Sequence, residues 1–206
     1  MRLRLLIPFY FVFAISLSPQ LNAQTQDLTI TIKEPVVNKI LTALGDIKGT
    51  EPYAFLFVEG TYNWQLINPR IQLHPNRADF ITDVKVTAGK FGYTIHVTGN
   101  VEVCYEPQTN LIYIEITEAK FPLNIMFLGN LKHLWDVDLA KYFETPFIFE
   151  GPLTIGTELT FSMPDGSASI IYTHALSCDL KVQEKQILVA AEVEFVNRKL
   201  AVFPSK

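Results

Sequence analysis

The sequence predicts an α+β domain: a long, strongly bent antiparallel β-sheet wrapped around one or two amphipathic helices. Three observations carry this expectation. Apolar and polar residues alternate over long stretches between residues 80 and 116, and again between 170 and 195. Val37, Ile40, Leu41 and Leu44 fall at i, i+3, i+4 and i+7, the period of one helical face. A second apolar stretch, Phe121 to Phe143, fits a helical stripe better than alternation.

The N-terminus has the three parts of a secretory signal. Arg2 and Arg4 are followed by the 13-residue, largely apolar run Leu5–Leu17, and Leu21-Asn22-Ala23 ends in a small residue. The run is shorter than the roughly 20 residues that span a bilayer. Residues 1–23 are therefore read as a cleaved signal, with an uncleaved anchor as the alternative, and 24–206 as a single β-rich domain. No Cys lies near the cut to carry a lipid, so the expected location is periplasmic or secreted.

Losing Arg2 and Arg4 takes the formal charge from −4 to −6, and no basic run follows. A nucleic-acid partner is therefore not expected. The full chain is 49% apolar and only 18% charged, against a usual charged share of about 25%. A chain this apolar must bury a large core, an internal cavity, or both. Cys104 and Cys178 leave two readings open, one disulfide or two idle thiols, because alternation puts Cys104 on a polar face and Cys178 on an apolar one.

Leu28, Ile30 and Ile32 alternate as a short strand. Glu34-Pro35 opens the helix, where the missing proline N–H costs nothing, and Gly45 ends it. Phe55, Phe57, Tyr62, Trp64 and Leu66 suggest strands on either side of Glu59-Gly60. Val84, Val86 and Ala88 alternate with polar residues up to Gly89-Lys90. Tyr93, Ile95, Val97, Val101 and Val103 then continue in the opposite phase, with Gly99 as a candidate bend. After Pro107-Gln108-Thr109-Asn110 the same pattern returns at Ile112, Ile114 and Ile116.

Between Phe121 and Phe143, Leu128, Leu131, Leu134, Trp135, Val137, Leu139 and Tyr142 read as one or two short helices. Phe147 and Phe149, then Leu159 and Phe161, resume the β pattern before Pro164-Asp165-Gly166. Two long strands close the chain. Ile170, Tyr172, Leu176, Cys178, Leu180 and Val182 are expected on one face, and Ile187, Val189, Ala191, Val193 and Phe195 on another.

Chemistry-bearing motifs are scarce. His74, His96, His133 and His174 show no metal spacing, although His96 and His174 could face each other across strands. There is no G-x-S-x-G elbow and no phosphate loop. A Cys–His pair through Cys104 or Cys178 is an alternative, but neither lies where a thiolate is favoured. Asp136 and Asp138 point to different sides of a helix end. The expectation is a protein without catalysis and without a cofactor.

The order of elements, with Ile30-Thr31-Ile32-Lys33-Glu34 leading into Val37-Asn38-Lys39-Ile40-Leu41, then Ile67-Asn68-Pro69-Arg70-Ile71-Gln72-Leu73 and the strands from Val84 to Ile116, resembles the tubular lipid-binding (TULIP) proteins. It is most similar to the small bacterial YceB-like periplasmic family, from which it departs in lacking a lipidated Cys. The resemblance implies a helix wrapped in a bent sheet that holds acyl chains.

The expected function is thus an exported, non-enzymatic protein that holds a lipid or other apolar small molecule between helices and curved sheet. Transient membrane contact is a further expectation, and no oligomeric state is fixed. Val37, Ile40, Leu41 and Leu44 would line the site from the first helix, and Leu131, Leu134 and Trp135 from the second. Tyr93, Ile95, Val97, Val101, Ile114 and Ile116 would form the wall. The alternative is a structural or interaction protein of a bacterial envelope complex, with a filled core.

Overall fold

A computed structural model describes residues 26–153 and 158–199. The expected signal at 1–23 lies outside the described residues. Strand β1 (Leu28–Lys33) leads directly into helix α1 (Glu34–Ala43), followed by β2 (Lys48–Phe55), β3 (Val58–His74), β4 (Arg77–Ala88), β5 (Phe91–Glu106) and β6 (Leu111–Glu118). Next come β7 (Lys120–Phe127), β8 (Asn130–Asp138), a 3-10 turn (Ala140–Tyr142) and β9 (Phe147–Glu150). The described residues close with β10 (Glu158–Ser162), β11 (Ala168–Gln183) and β12 (Gln186–Lys199).

This corrects the expected class. Strands make up 72% of the described residues and helix 8%, with one α-helix and sheets curled into half-barrels. The fold is β-rich, and among the described residues no pair of helices lies inside a wrapping sheet. What occupies the expected second helix is the β7–β8 hairpin. Phe121, Leu123 and Ile125 are buried at a period of two, as strand residues facing a core are. A turn at Leu128-Gly129 and a bulge at Leu134, which has no partner opposite Leu123/Asn124, shift the phase of β8. Those two interruptions space Leu128, Leu131 and Leu134 three apart, with Trp135 four beyond Leu131, and imitate a helical stripe.

The larger sheet has the order β2-β3-β4-β5-β6-β9, and the smaller one β1-β12-β11-β10. On β4 every even residue from Ala78 to Ala88 is buried. β3 matches it with even positions Tyr62, Trp64 and Leu66, then with odd positions Ile71 and Leu73. The parity changes at a bulge in which Asn68 takes φ +52° and Pro69 has no N–H to leave unpaired. Thr82 Oγ1 donates to the Ile67 carbonyl at 3.1 Å beside it. Gly99 sits where a close approach needs it, because a Cβ there would lie 2.1 Å from the Glu118 carbonyl oxygen.

The β7–β8 hairpin and α1 close the concave side, filling it with Phe121, Leu123, Val137, Val37 and Leu41. The smaller sheet adds Ile32, Ile187 and Val189 to the same core. The two sheets are tied at one end by the Asn76 N–H to Val182 O (2.9 Å) and the Lys185 N–H to Leu73 O (3.0 Å). On β11 a bulge between Ala175 and Ser177 reverses parity, so Ile170 and Tyr172 face away from the side shared by Cys178, Leu180 and Val182. That separates residues expected on one face.

Candidate functional site

Helix α1 is fixed to β3 by side chains that its sequence spaces for the purpose. Asn38 clamps the backbone of Ile71, donating to its carbonyl (2.9 Å) and accepting from its N–H (2.7 Å). Glu34, one turn earlier, accepts from the Leu73 N–H at 2.9 Å. With the helix so held, Val37 and Leu41 point into the core, both with no exposure. Ile40 and Leu44, the neighbouring i, i+4 row, lie along the flank. There they line an open groove of about 530 Å³ together with the segment Lys141–Phe147.

The far wall of this groove is anchored by aromatic packing. The Tyr142 ring lies 4.6 Å from that of Trp64, and Phe143 lies 5.5 Å from Phe80. Phe147 is held by β9 opposite Ile114 of β6. Leu44 is 54% exposed, so the groove offers an apolar rim to a ligand. Lys141 stands at its edge, 2.9 Å from the Glu51 carboxylate and 4.8 Å from the Tyr142 ring centre.

Glu51 gathers three partners. It accepts from the Tyr142 hydroxyl, from the Tyr62 hydroxyl at 2.6 Å and from Lys141. These hydrogen bonds, that of Tyr142 foremost, hold its carboxyl down to about 2. Burial, and then the Glu51 charge, push the Tyr62 phenol upward, so both groups keep their charge states across ordinary pH. The cluster fixes Tyr142 at the groove instead of supplying a proton.

The expected ligand-lining residues divide among several places. Val97, Ile114 and Ile116 are buried with Val37 and Leu41 in the filled core, while Tyr93, Ile95, Val101 and Leu134 pack half-buried against it. Tyr93 also pins the hairpin, donating to Pro122 O (2.6 Å) and accepting from the Asn124 N–H (2.9 Å). Leu131 and Trp135 are exposed on β8, not on a helix. Trp135 borders a separate concavity of about 410 Å³ with Pro52, Tyr53 and Gly60. Only Ile40 and Leu44 of the expected set reach the groove. Sequence reasoning missed Tyr142, Phe143, Pro146 and Phe147, whose one signal is two aromatic pairs flanking a proline.

Among the described residues no group of His, Cys, Asp and Glu is placed to hold a metal. Both cysteines are free. Cys104 is exposed on β5 opposite Tyr113, and burial, then Glu102, Glu115 and Glu106, push its thiol upward. Cys178 lies on the other side, its Sγ 4.0 Å from the Tyr105 hydroxyl. His96 pairs with Asp83 at 2.8 Å in the larger sheet, while His174 sits opposite Glu194 in the smaller one, so the two do not face each other. The chain matches no protein-family model, no curated protein and no solved structure.

Proposed function

We propose that the protein is a non-enzymatic binding protein that holds an acyl chain or similar apolar ligand in the groove between α1 and Lys141–Phe147. The observation that supports this is the groove itself: about 530 Å³, with Ile40, Leu44, Tyr142, Phe143, Pro146 and Phe147 around it. Its size falls within the range of about 300–1,000 Å³ in which small-molecule sites lie. Binding would gain about 0.8 kcal/mol for each methylene fully buried, so a partly covered chain would be held reversibly. An exported, periplasmic or secreted location is part of this reading.

The test is titration of a fluorescent fatty acid into the full-length protein and into Leu44→Asp. Leu44 is 54% exposed just past α1, so the change leaves the core intact. The expected outcome is saturable binding that weakens about tenfold in the variant, equivalent to roughly 1.4 kcal/mol. No binding by the unchanged protein, or equal binding by both, overturns the proposal. A second reading is a structural or interaction protein, favoured by an interior in which Phe121, Leu123, Leu139 and Ile114 have no exposure. Absence of binding would leave that reading in place.

A further inference from the structure

The two-residue hairpin turns of the chain differ by location. Pro75-Asn76, Gly89-Lys90 and Glu184-Lys185 carry the polar, Gly and Pro residues usual in such turns. Leu56-Phe57 carries none of them, and Leu128-Gly129 sets a leucine beside its glycine. Leu56 and Leu128 take φ of +54° and +49°, where Asn and Gly sit more easily than Leu. Yet both present bare side chains: Leu56 is 75% exposed, Phe57 81% and Leu128 82%. Large apolar residues thus occupy the two turn positions least suited to them and least able to bury them.

These tips are neighbours. The Phe127 ring lies 5.4 Å from Phe55 and 5.8 Å from Phe57, joining the β2–β3 hairpin to the β7–β8 hairpin. Behind Leu128, the opposed pair Met126 and Leu131 is also exposed. The register sets the depth of this patch. Tyr62 is opposite Ala88, so residues 58–61 carry the β2–β3 tip beyond the end of β4, by about 13 Å at ~3.3 Å per residue.

Charge at this end is sparse, two lysines against one carboxylate. Across the turn segments 55–58, 88–91 and 126–132 the charged residues are Lys90 and Lys132, both exposed, in a chain of net charge −4. The one carboxylate beside them is the exposed Glu59, opposite Ala54 on the projecting part of β3. Apolar tips that project ahead of recessed lysines match the layering of a phospholipid surface, with hydrocarbon beneath anionic headgroups.

We infer that this end of the molecule is a membrane-docking tip: Leu56, Phe57 and Leu128 insert between lipids while Lys90 and Lys132 meet anionic headgroups. The inference stands apart from the α1 groove, whose residues lie elsewhere. Its test is vesicle flotation of the full chain with phosphatidylcholine alone and with phosphatidylcholine mixed with phosphatidylglycerol. The first variant joins Leu56→Asn, Phe57→Asn and Leu128→Asn, since Asn accepts the left-handed turn and keeps the hairpins folded. The second joins Lys90→Gln and Lys132→Gln.

The unchanged protein is expected to float with the mixed vesicles, and the Asn variant to lose at least about tenfold in partitioning on both. The Gln variant should lose about 25-fold on mixed vesicles and nothing on phosphatidylcholine alone. Leu44→Asp should float as the unchanged protein does, which separates docking from groove binding. Failure of the unchanged protein to float, or full flotation of the Asn variant, overturns the inference. So does a dimer in analytical ultracentrifugation that the Asn variant abolishes while vesicle binding persists.

Discussion

Glu51 shows how one carboxylate sets the position of its neighbours. It lies on the concave side of β2 opposite Tyr62, and its remaining acceptor capacity goes to Tyr142 and Lys141. A carboxyl held at about 2 instead of about 4.5 stabilises the folded state in its ionised form. That contribution is complete above pH 4.5 and disappears as pH falls towards 2, where the folded protein must take up the proton. Glu51→Gln is therefore expected to cost about 1–2 kcal/mol at neutral pH, the pairing being discounted for partial exposure. The difference between the two proteins should close between about pH 4.5 and 2, as read by chemical denaturation across that range. Gly49 matters for a different reason: the indole of Trp64 lies against it, and a Cβ would come within 2.5 Å of the ring.

At the scale of elements, the β7–β8 hairpin is the cover of the core, and one phenol fastens it. Tyr93→Phe removes the partner of both the Pro122 carbonyl and the Asn124 N–H. The expected cost is about 1–3 kcal/mol, since two backbone groups lose their partner. Hydrogen exchange should quicken in residues 120–138 ahead of β4 and β5. The same hairpin shows where sequence reading stops. α1 is legible because Pro35, the Val37/Leu41 row and Gly45 agree on one period and one end. β4, β5 and β6 are legible because their alternation runs unbroken. The hairpin is not, because a turn without Asn-Gly and the bulge at Leu134 erase the period of two. The phase reversal at Ala175/Ser177 misplaces Ile170 and Tyr172 in the same way. The groove was half visible: α1 displays Ile40 and Leu44, but its opposite wall is an irregular segment with no period to read.

Across the whole molecule, the smaller sheet is unevenly supported. Its rows near Ile187, Val189 and Ala191 are buried against the shared core, whereas Phe161, Phe195 and Val196 at the far end are 46%, 52% and 37% exposed. Protection from hydrogen exchange should therefore decline along β11 and β12 from the 178–191 end to the 168–175 end, with the transition at the Ala175/Ser177 bulge. Uniform protection along both strands would contradict this. The pairing of Leu28 with Ala191 and of Ile32 with Ile187 has a consequence in time as well as space. Among the described residues β1 is the first strand made, and its one sheet neighbour, β12, is the last. At about 5–20 residues per second, roughly 10–30 s of synthesis separate the two. Through that interval β1 lacks its partner, so the smaller sheet closes only after β12 has emerged.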